Sequence, residues 1–129
     1  MLEVVAGIIE SENGILLCQR HRNSRRLPLK WEFPGGKVET NEGPKEAIIR
    51  ELDEELGIKV LKTELLHDYK FAYPDEKTFH LYFFKIHDYD NTIQDLQFEK
   101  IEWVKAENLN TYDILEGDQP FLHLYYNQN

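Results

Sequence analysis

Residues 36–58 of the chain read GKVETNEGPKEAIIRELDEELGI. The Gly43-Pro44 step suits the start of a helix, because a proline near the first turn lacks only an N–H that would have no helical partner. Gly57 supplies a stop at the other end. The apolar side chains between these points recur at helical spacing and are Ile48, Ile49, Leu52 and Leu56. The stretch predicts a loop followed by a long helix that buries one apolar face.

Three carboxylates of this helix, Glu51, Glu54 and Glu55, project within an arc of about 100° beside the apolar stripe. Their clustering is unfavourable, since like charges four residues apart on a helix destabilise it by roughly 0.2–0.5 kcal/mol per pair. Arg50 offsets part of this repulsion by pairing with Glu54. A divalent cation would offset the rest, because hard ions such as Mg²⁺ take oxygen ligands. The alternative is an acidic helix face that only contacts solvent.

The same stretch resembles the Nudix box, G-x5-E-x7-R-E-U-x-E-E-x-G-U, in which U is an aliphatic residue. Every specified position is matched. The sequence WEFPGGK at positions 31–37 is similar to the MutT branch of that family. The resemblance implies a magnesium-dependent hydrolase, with Mn²⁺ as the alternative ion.

The resemblance also implies roles for the residues of the box. Its main metal ligands would be Glu54 and Glu55, and Glu51 and the backbone carbonyl of Gly36 would assist them. Glu51 and Glu54 are also the candidate catalytic glutamates, one of which Arg50 would orient, while Glu42 would support the junction between loop and helix. Pro34-Gly35-Gly36 lets the backbone approach a metal ion and phosphate closely, because glycine has no Cβ.

The rest of the chain predicts strands around this helix. Residues 4–9 form a buried strand, and the turn at Asn13-Gly14 leads to residues 15–19 as its antiparallel partner. Further strands are predicted at residues 31–33, 58–66, 78–86 and 101–104, and a second helix at residues 119–126 that packs Phe121, Leu122 and Tyr125. Because the strands dominate and the helices lie outside them, we expect an α+β fold. In that fold, an α/β/α sandwich, residues 1–129 form a single domain with a mixed β-sheet between helices.

The charge, the cysteine content and the apolar runs of the chain limit the classes of ligand and the compartment that we expect. The formal charge of −9 disfavours long nucleic acids as ligands, although a small phosphorylated substrate remains open if metal ions mask the repulsion. Cys18 is the only cysteine, so an intrachain disulfide is excluded and a reducing compartment is favoured. The N-terminus has no secretory leader pattern, and no apolar run approaches the ~20 residues that span a bilayer. We expect a cytoplasmic monomer or weak homodimer that does not bind membranes.

The resemblance implies that a metal-activated water attacks the β-phosphorus of a nucleoside triphosphate, which yields a nucleoside monophosphate and pyrophosphate. Arg20 and Lys37 are candidates for phosphate contacts. MutT-like proteins usually carry a glutamate, as metal ligand or base, where this chain has Gln97. A neutral amide cannot take a proton, so we expect Glu99 or a glutamate of the box to act as the base.

Further candidate contacts to the substrate are Glu32, Phe33 and Tyr73. Phe33, Tyr73 and Phe79 are suited to stacking on a base, with core packing as the alternative for each. By the resemblance, Asp118 falls on the Asn-x-Pro motif that recognises oxidised guanine in MutT, and relatives that cleave cytidine triphosphate carry aspartate there. An ionised aspartate only accepts hydrogen bonds, which suits the amino group of cytosine or adenine, or N1–H and the 2-amino group of 8-oxoguanine. The alternative for Asp118 is an N-cap of the last helix.

The leading hypothesis is a nucleotide-pool hydrolase for 8-oxo-dGTP or for CTP- and dCTP-like substrates, which would serve DNA repair. A second hypothesis keeps the fold but assigns a dinucleotide or nucleotide sugar as the substrate. A third is a non-catalytic domain that senses a nucleotide. The third class typically loses glutamates of the box, and this chain retains all of them.

Overall fold

The computed structural model describes residues 1–75 and 77–127. The strands are β1 Leu2–Ile8, β2 Glu10–Ser11, β3 Gly14–Gln19, β4 Trp31–Glu32, β5 Gly35–Lys37, β6 Lys59–Ala72, β7 Thr78–Asp90 and β8 Lys100–Val104. The helices are α1 Pro44–Leu56 and α2 Gln119–Tyr126, with two short 3₁₀ helices at Ala106–Thr111 and Glu116–Asp118. In the described residues, no helix is both long and apolar enough to cross a bilayer.

The main sheet has the strand order β5-β1-β7-β6 and is mixed. β1 pairs in parallel with β7, with Val5 opposite Tyr82, whereas the β1–β5 and β6–β7 pairs are antiparallel. In a second sheet β3 is central and pairs with β2, β4 and β8. The mixed sheet that the sequence predicted is confirmed.

The predicted pairing of residues 15–19 with residues 4–9 is wrong. Glu10–Ser11 and the start of β3 form the hairpin at Asn13-Gly14, and a hydrogen bond from Leu16 N to Ile9 O at 3.0 Å lies beside it. The second half of β1 is buried on both faces, as a central strand requires. It therefore takes partners on both sides from distant parts of the chain, and β3 is left to form the second sheet.

The two helices cover opposite faces of the main sheet, because successive side chains of a strand point to opposite sides. On one face α1 packs Ile48 and Leu52 in a cluster with Val5. On the other face α2 packs Phe121, whose ring stacks on Phe83 with centroids 4.4 Å apart. This arrangement is the predicted α/β/α sandwich.

The structure differs from the sequence prediction in several strand boundaries and in the burial of two side chains. The strands predicted at 58–66 and 78–86 extend into one long β6–β7 hairpin, because their polar ends also pair. Ile49 is 37% exposed, since it lies about 100° around the helix from the buried Ile48. Tyr125 is also exposed, although its ring stacks on Phe121 and its hydroxyl donates to Leu66 O at 2.8 Å.

Candidate active site

A cleft of about 370 Å³ opens between the main sheet, the second sheet and α1. The residues that line it and that the sequence predicted as site residues are Arg20, Glu32, Phe33, Gly36, Lys37, Glu51, Glu55, Tyr73 and Asp118. Gln97 and Phe79 line it as well. The fold therefore brings two carboxylates of the box, Glu51 and Glu55, and all the predicted substrate contacts to one cavity.

At one end of the cleft two carboxylates of α1 face the bend before β5. Glu55 is 2% exposed and accepts a hydrogen bond from Gly35 N at 3.0 Å. Burial, followed by the adjacent Glu51 and then Glu32, raises the pKa of Glu55 far above its usual range. A Cβ on Gly36 would lie 2.6 Å from the Glu51 carboxylate. Only glycine at position 36 therefore leaves room for this carboxylate.

This end of the cleft fits a divalent cation. Glu51 and Glu55 place hard oxygen ligands next to each other, and a positive ion would relieve both their repulsion and the burial of Glu55. The glycine at position 36 leaves the backbone open beside them. Glu51, Glu55 and Gly36 are therefore the residues that could hold the ion.

Glu54 is placed differently from its two neighbours. Its side chain is 57% exposed, lies outside the cleft lining and pairs with Arg50 at 3.3 Å, which is the predicted ion pair. Within residues 1–75 and 77–127, no three Asp, Glu, His or Cys side chains lie in a geometry that holds one ion. In this structure Arg50 therefore holds Glu54 on the outer side of the helix, away from Glu51 and Glu55. The metal role of Glu54 stays a prediction.

Arg50 connects the box residues. Its guanidinium donates to Glu42 Oε1 at 2.6 Å, to Glu51 Oε1 at 2.9 Å and to Lys37 O at 3.0 Å. Glu42 also accepts from Glu39 N at 2.9 Å, which ties the loop to the start of the helix. The hydrogen bonds from Arg50 lower the pKa of Glu42. This geometry suits the roles predicted for Arg50, in orienting Glu51, and for Glu42, in supporting the junction.

A group of partly buried charges lies deeper in the cleft. Arg20 Nη1 lies 3.3 Å from Glu32 Oε1. Burial raises the pKa of Glu32 to about 7, although Arg20 opposes that change. Burial and then the Glu32 charge raise the pKa of Asp118 to about 8. Asp118 precedes α2, but within the described chain its carboxylate makes no capping hydrogen bond, so the alternative of an N-cap is not supported.

Two tyrosines, Tyr69 in β6 and Tyr73 directly after it, position the turn that carries Asp118. The Tyr73 hydroxyl accepts from Gly117 N at 2.8 Å, and the Tyr69 hydroxyl donates to Gly117 O at 2.7 Å. Tyr69 also accepts from Phe121 N at 3.1 Å. The sequence analysis did not identify Tyr69. The only available signal was its spacing of four residues from Tyr73, which places both side chains on one face of a strand.

The predicted aromatic contacts are mainly core residues. Phe33 is buried and meets Phe83 and Phe121 edge to face, at centroid distances of 6.3 and 5.8 Å. Tyr73 and Phe79 are both buried, and the Arg26 guanidinium covers the Tyr73 ring at 4.3 Å from its centroid. A base could reach the face of Tyr73 only if Arg26 moved.

Comparison with known proteins agrees with this geometry. The family model described as the NUDIX domain matches residues 1–125. A CTP pyrophosphohydrolase of Escherichia coli is 36% identical over 125 residues, which cover 97% of this chain and 91% of the relative. An 8-oxo-dGTP diphosphatase of E. coli is 30% identical over 121 residues, which cover 94% of this chain and 93% of the relative. This chain belongs to the NUDIX family.

A solved structure supports the fold. A MutT structure from work on Aliivibrio salmonicida and Vibrio cholerae has a TM-score of 0.80 and 28% identity, and the match covers 99% of this chain and 98% of that one. The predicted Nudix fold and its MutT-like character are therefore confirmed. Nudix hydrolases generally need a divalent metal ion, which agrees with the carboxylate pair at Gly36.

The structure bears on the two candidates for the general base, Glu99 and a glutamate of the box. In this Nudix domain Gln97 lines the cleft and donates from Nε2 to Glu55 Oε2 at 3.3 Å. Glu99 lies outside the cleft lining, where Arg22 donates to it from Nη2 at 2.5 Å and from its backbone N at 3.1 Å. Arg22 lowers the pKa of Glu99 to about 2. A carboxylate of such low basicity is a poor proton acceptor, so the structure favours a glutamate of the box over Glu99.

Replacement of Gly36 by alanine tests the ion site without removing a carboxylate. We expect Gly36→Ala to lower the affinity for Mn²⁺ by at least about tenfold, because the new Cβ displaces the Glu51 carboxylate. Calorimetric titration measures the affinity, and thermal unfolding confirms that the variant folds. Gly43→Ala is the control, since its Cβ would meet only the end of the Glu46 side chain at 3.3 Å. Equal affinities for Gly36→Ala and the unmodified chain would contradict the site.

Proposed function

We propose that this Nudix domain hydrolyses nucleoside triphosphates, including deoxynucleoside triphosphates, to the monophosphate and pyrophosphate. The observation that carries the proposal is a single cleft with two chemically distinct ends. Glu51 and Glu55 at one end suit a metal ion and the polyphosphate, whereas Glu32 and Asp118 at the other end suit the polar edge of a base. The names of the two E. coli relatives, a CTP pyrophosphohydrolase and an 8-oxo-dGTP diphosphatase, support this class of substrate.

The proposed ion is Mg²⁺, with Mn²⁺ as the alternative. Glu51, Glu55 and the Gly36 carbonyl would hold it, and Glu54 would join them by leaving its ion pair with Arg50. When bound, the ion neutralises charge on the phosphates and lowers the pKa of the attacking water.

The residues of the chain supply the remaining chemistry. Glu51, which Arg50 holds at 2.9 Å, would accept the proton of the attacking water. Lys37 lies at the mouth of the cleft and would contact a phosphate as a point charge. Arg20 is already held by Glu32 and by a hydrogen bond from its Nε to Arg26 O at 3.0 Å. It would therefore contact a phosphate without a large loss of side-chain freedom.

The base would be recognised by Asp118 with the help of Glu32. Because the pKa of Asp118 is raised to about 8, its carboxyl group carries a proton at neutral pH. It then both donates and accepts a hydrogen bond, whereas the sequence analysis assumed an ionised group that only accepts. This pattern suits 8-oxo-dGTP as well as CTP- and dCTP-like substrates, and both remain part of the proposal.

We also propose a cytoplasmic protein with one domain over residues 1–129, acting as a monomer or weak homodimer on the nucleotide pool. Its partners would be small nucleotides, not nucleic acid polymers or membranes. The charge of −9 and the single buried cysteine support these assignments. There are two alternative functions. One is hydrolysis of another nucleoside diphosphate compound, and the other is nucleotide sensing without turnover. A screen of triphosphates that released no pyrophosphate would favour these alternatives.

The first test is a pyrophosphate-release screen over normal, oxidised and methylated nucleoside triphosphates, followed by Glu54→Gln on the best substrate. We expect a kcat at least about a hundredfold lower, because a neutral amide is a weaker metal ligand and cannot act as a base. Asp53→Asn is the matched control, since this neighbouring carboxylate is exposed and pairs only with Lys59 among the described residues. Comparable turnover by Glu54→Gln at saturating Mg²⁺ would remove Glu54 from the metal site.

A second pair of variants locates the base. We expect Glu99→Gln to keep kcat within about twofold, since a carboxylate held by Arg22 does not accept the proton. Arg22→Gln breaks the same ion pair but leaves the carboxylate, and it should behave alike. A large loss of kcat in Glu99→Gln alone would return the role of base to Glu99.

Asp118→Asn tests base recognition. We expect the ranking of triphosphates by kcat/KM to change more than kcat on a good substrate. Because the folded state raises the pKa of Asp118 from 3.8 to about 8, Asp118 stabilises the fold fully only below about pH 4, and this contribution disappears as the pH rises through 8. The free energy of unfolding of the unmodified chain, measured with denaturant, should therefore fall across this range relative to that of Asp118→Asn.

Two results would contradict this role of Asp118. Identical base rankings for the two proteins would exclude it as the residue that recognises the base. Parallel stability curves between pH 4 and pH 8 would show that its pKa is not raised. The other ionisable groups that face it are Glu32, Arg20, Tyr69 and Tyr73, and Asp118→Asn leaves them in place.

A further inference from the structure

Arg26 lines the cleft where Tyr73 and Phe79 also line it, and it takes no part in the proposed metal site or phosphate contacts. Its guanidinium carbon is 4.3 Å from the centroid of Tyr73 and 5.1 Å from that of Phe79. Its side chain is 27% exposed and lines the cleft. The flat surface that the cleft presents here is therefore a guanidinium that rests on two aromatic rings.

The rings themselves are poorly placed to meet a ligand. Tyr73 is 8% exposed, and its edge-to-face contacts with Phe71 and Phe79 have centroid distances of 4.9 and 5.7 Å. Its hydroxyl is bonded to Gly117 N. A planar ligand at this end would consequently meet Arg26 before it met either ring.

Arg26 is held in place from two sides. Asp75 accepts from its Nε at 3.0 Å and from its Nη2 at 3.4 Å. Asp75 is itself fixed by a hydrogen bond from Lys77 N to its Oδ1 at 3.2 Å. On the other side the Arg26 backbone carbonyl accepts from Arg20 Nε. An arginine fixed in this way loses little further freedom when a ligand binds.

The surroundings of Arg26 favour a base over a phosphate as its ligand. Two of its edge donors, Nε and Nη2, already bond Asp75, whereas stacking of a base uses the face of the guanidinium plane opposite Tyr73. Tyr73 links the guanidinium to the turn of Gly117 and Asp118, so a ring stacked on Arg26 would have its edge next to the acids that read it. Guanidinium groups stack well on planar π-systems.

We propose that Arg26 is a base-binding residue of this enzyme, whose guanidinium forms the surface on which the nucleobase stacks. The proposal rests on the proposed function, because it assumes that a nucleotide occupies the cleft. It also deepens that function, since a stacking surface binds any base and leaves the choice among bases to Asp118 and Glu32.

The test compares ligands with and without a base. The probes are CMP, dGMP and 8-oxo-dGMP on one side and inorganic tripolyphosphate on the other, each titrated by calorimetry in the presence of Mg²⁺. The variants are Arg26→Lys, which keeps the charge but lacks the plane, and Arg26→Ala. Arg25→Ala is the matched control, because the adjacent Arg25 is exposed and lies outside the cleft lining.

We expect both Arg26 variants to bind the tightest monophosphate about three- to thirtyfold more weakly, which corresponds to the loss of one stacked guanidinium. Tripolyphosphate affinity should change by less than about twofold, and Arg25→Ala should resemble the unmodified chain for every probe. Thermal unfolding checks each variant, and if Arg26→Ala does not fold, Arg26→Lys decides the test.

Three results would overturn the proposal: unchanged monophosphate affinity in the Arg26 variants, a loss of tripolyphosphate affinity that lysine restores, or no monophosphate binding by the unmodified chain. Failure of the proposed function is distinguishable from these. It would appear as an absence of pyrophosphate release from every triphosphate, while monophosphate binding still depended on Arg26.

Discussion

The organisation of the site depends on one buried carboxylate. Glu55 is almost inaccessible to solvent, next to Glu51, and it accepts a hydrogen bond from the backbone of Gly35. A Cβ at Gly35 would lie 1.9 Å from Val5 O, so only glycine brings this backbone close enough to β1 and α1. Burial of an acid beside a second acid is unfavourable unless a cation or a proton compensates it. Because of this constraint, the turn after β4 is held against both β1 of the main sheet and the box helix α1.

The remainder of the cleft is assembled from parts that are far apart in the sequence. The long β6–β7 hairpin carries Tyr69 and Tyr73 to the start of α2, where their hydroxyls hold both backbone groups of Gly117. A Cβ at Gly117 would lie 2.5 Å from the Tyr73 hydroxyl, so this glycine permits the close approach. Asp118 is thereby fixed within the same cavity as the carboxylates of α1.

Burial also changes the chemistry of the acids in the cleft. Burial raises the pKa of both Asp118 and Glu32, so each holds a proton more tightly than an exposed carboxyl group does. Glu99 shows the opposite case, since Arg22 stabilises its ionised form and lowers its pKa. All three residues are carboxylic acids, and their surroundings alone set their different pKa values. Asp118 can donate a hydrogen bond, Glu32 pairs with Arg20, and Glu99 is held in an ion pair by Arg22.

The local spacing of residues alone determined the box helix from Pro44 to Leu56 and the second helix from Gln119 to Tyr126. It also indicated the acids of the candidate metal site, because helix caps, helical periodicity and the box motif each involve residues that are close in sequence. Long-range contacts decided the rest. The partners of β3, the ion pair of Glu99 with Arg22 and the cover that Arg26 provides over Tyr73 all join segments that only folding brings together. Such contacts leave no periodic signal in the chain, so only the tertiary structure could decide them.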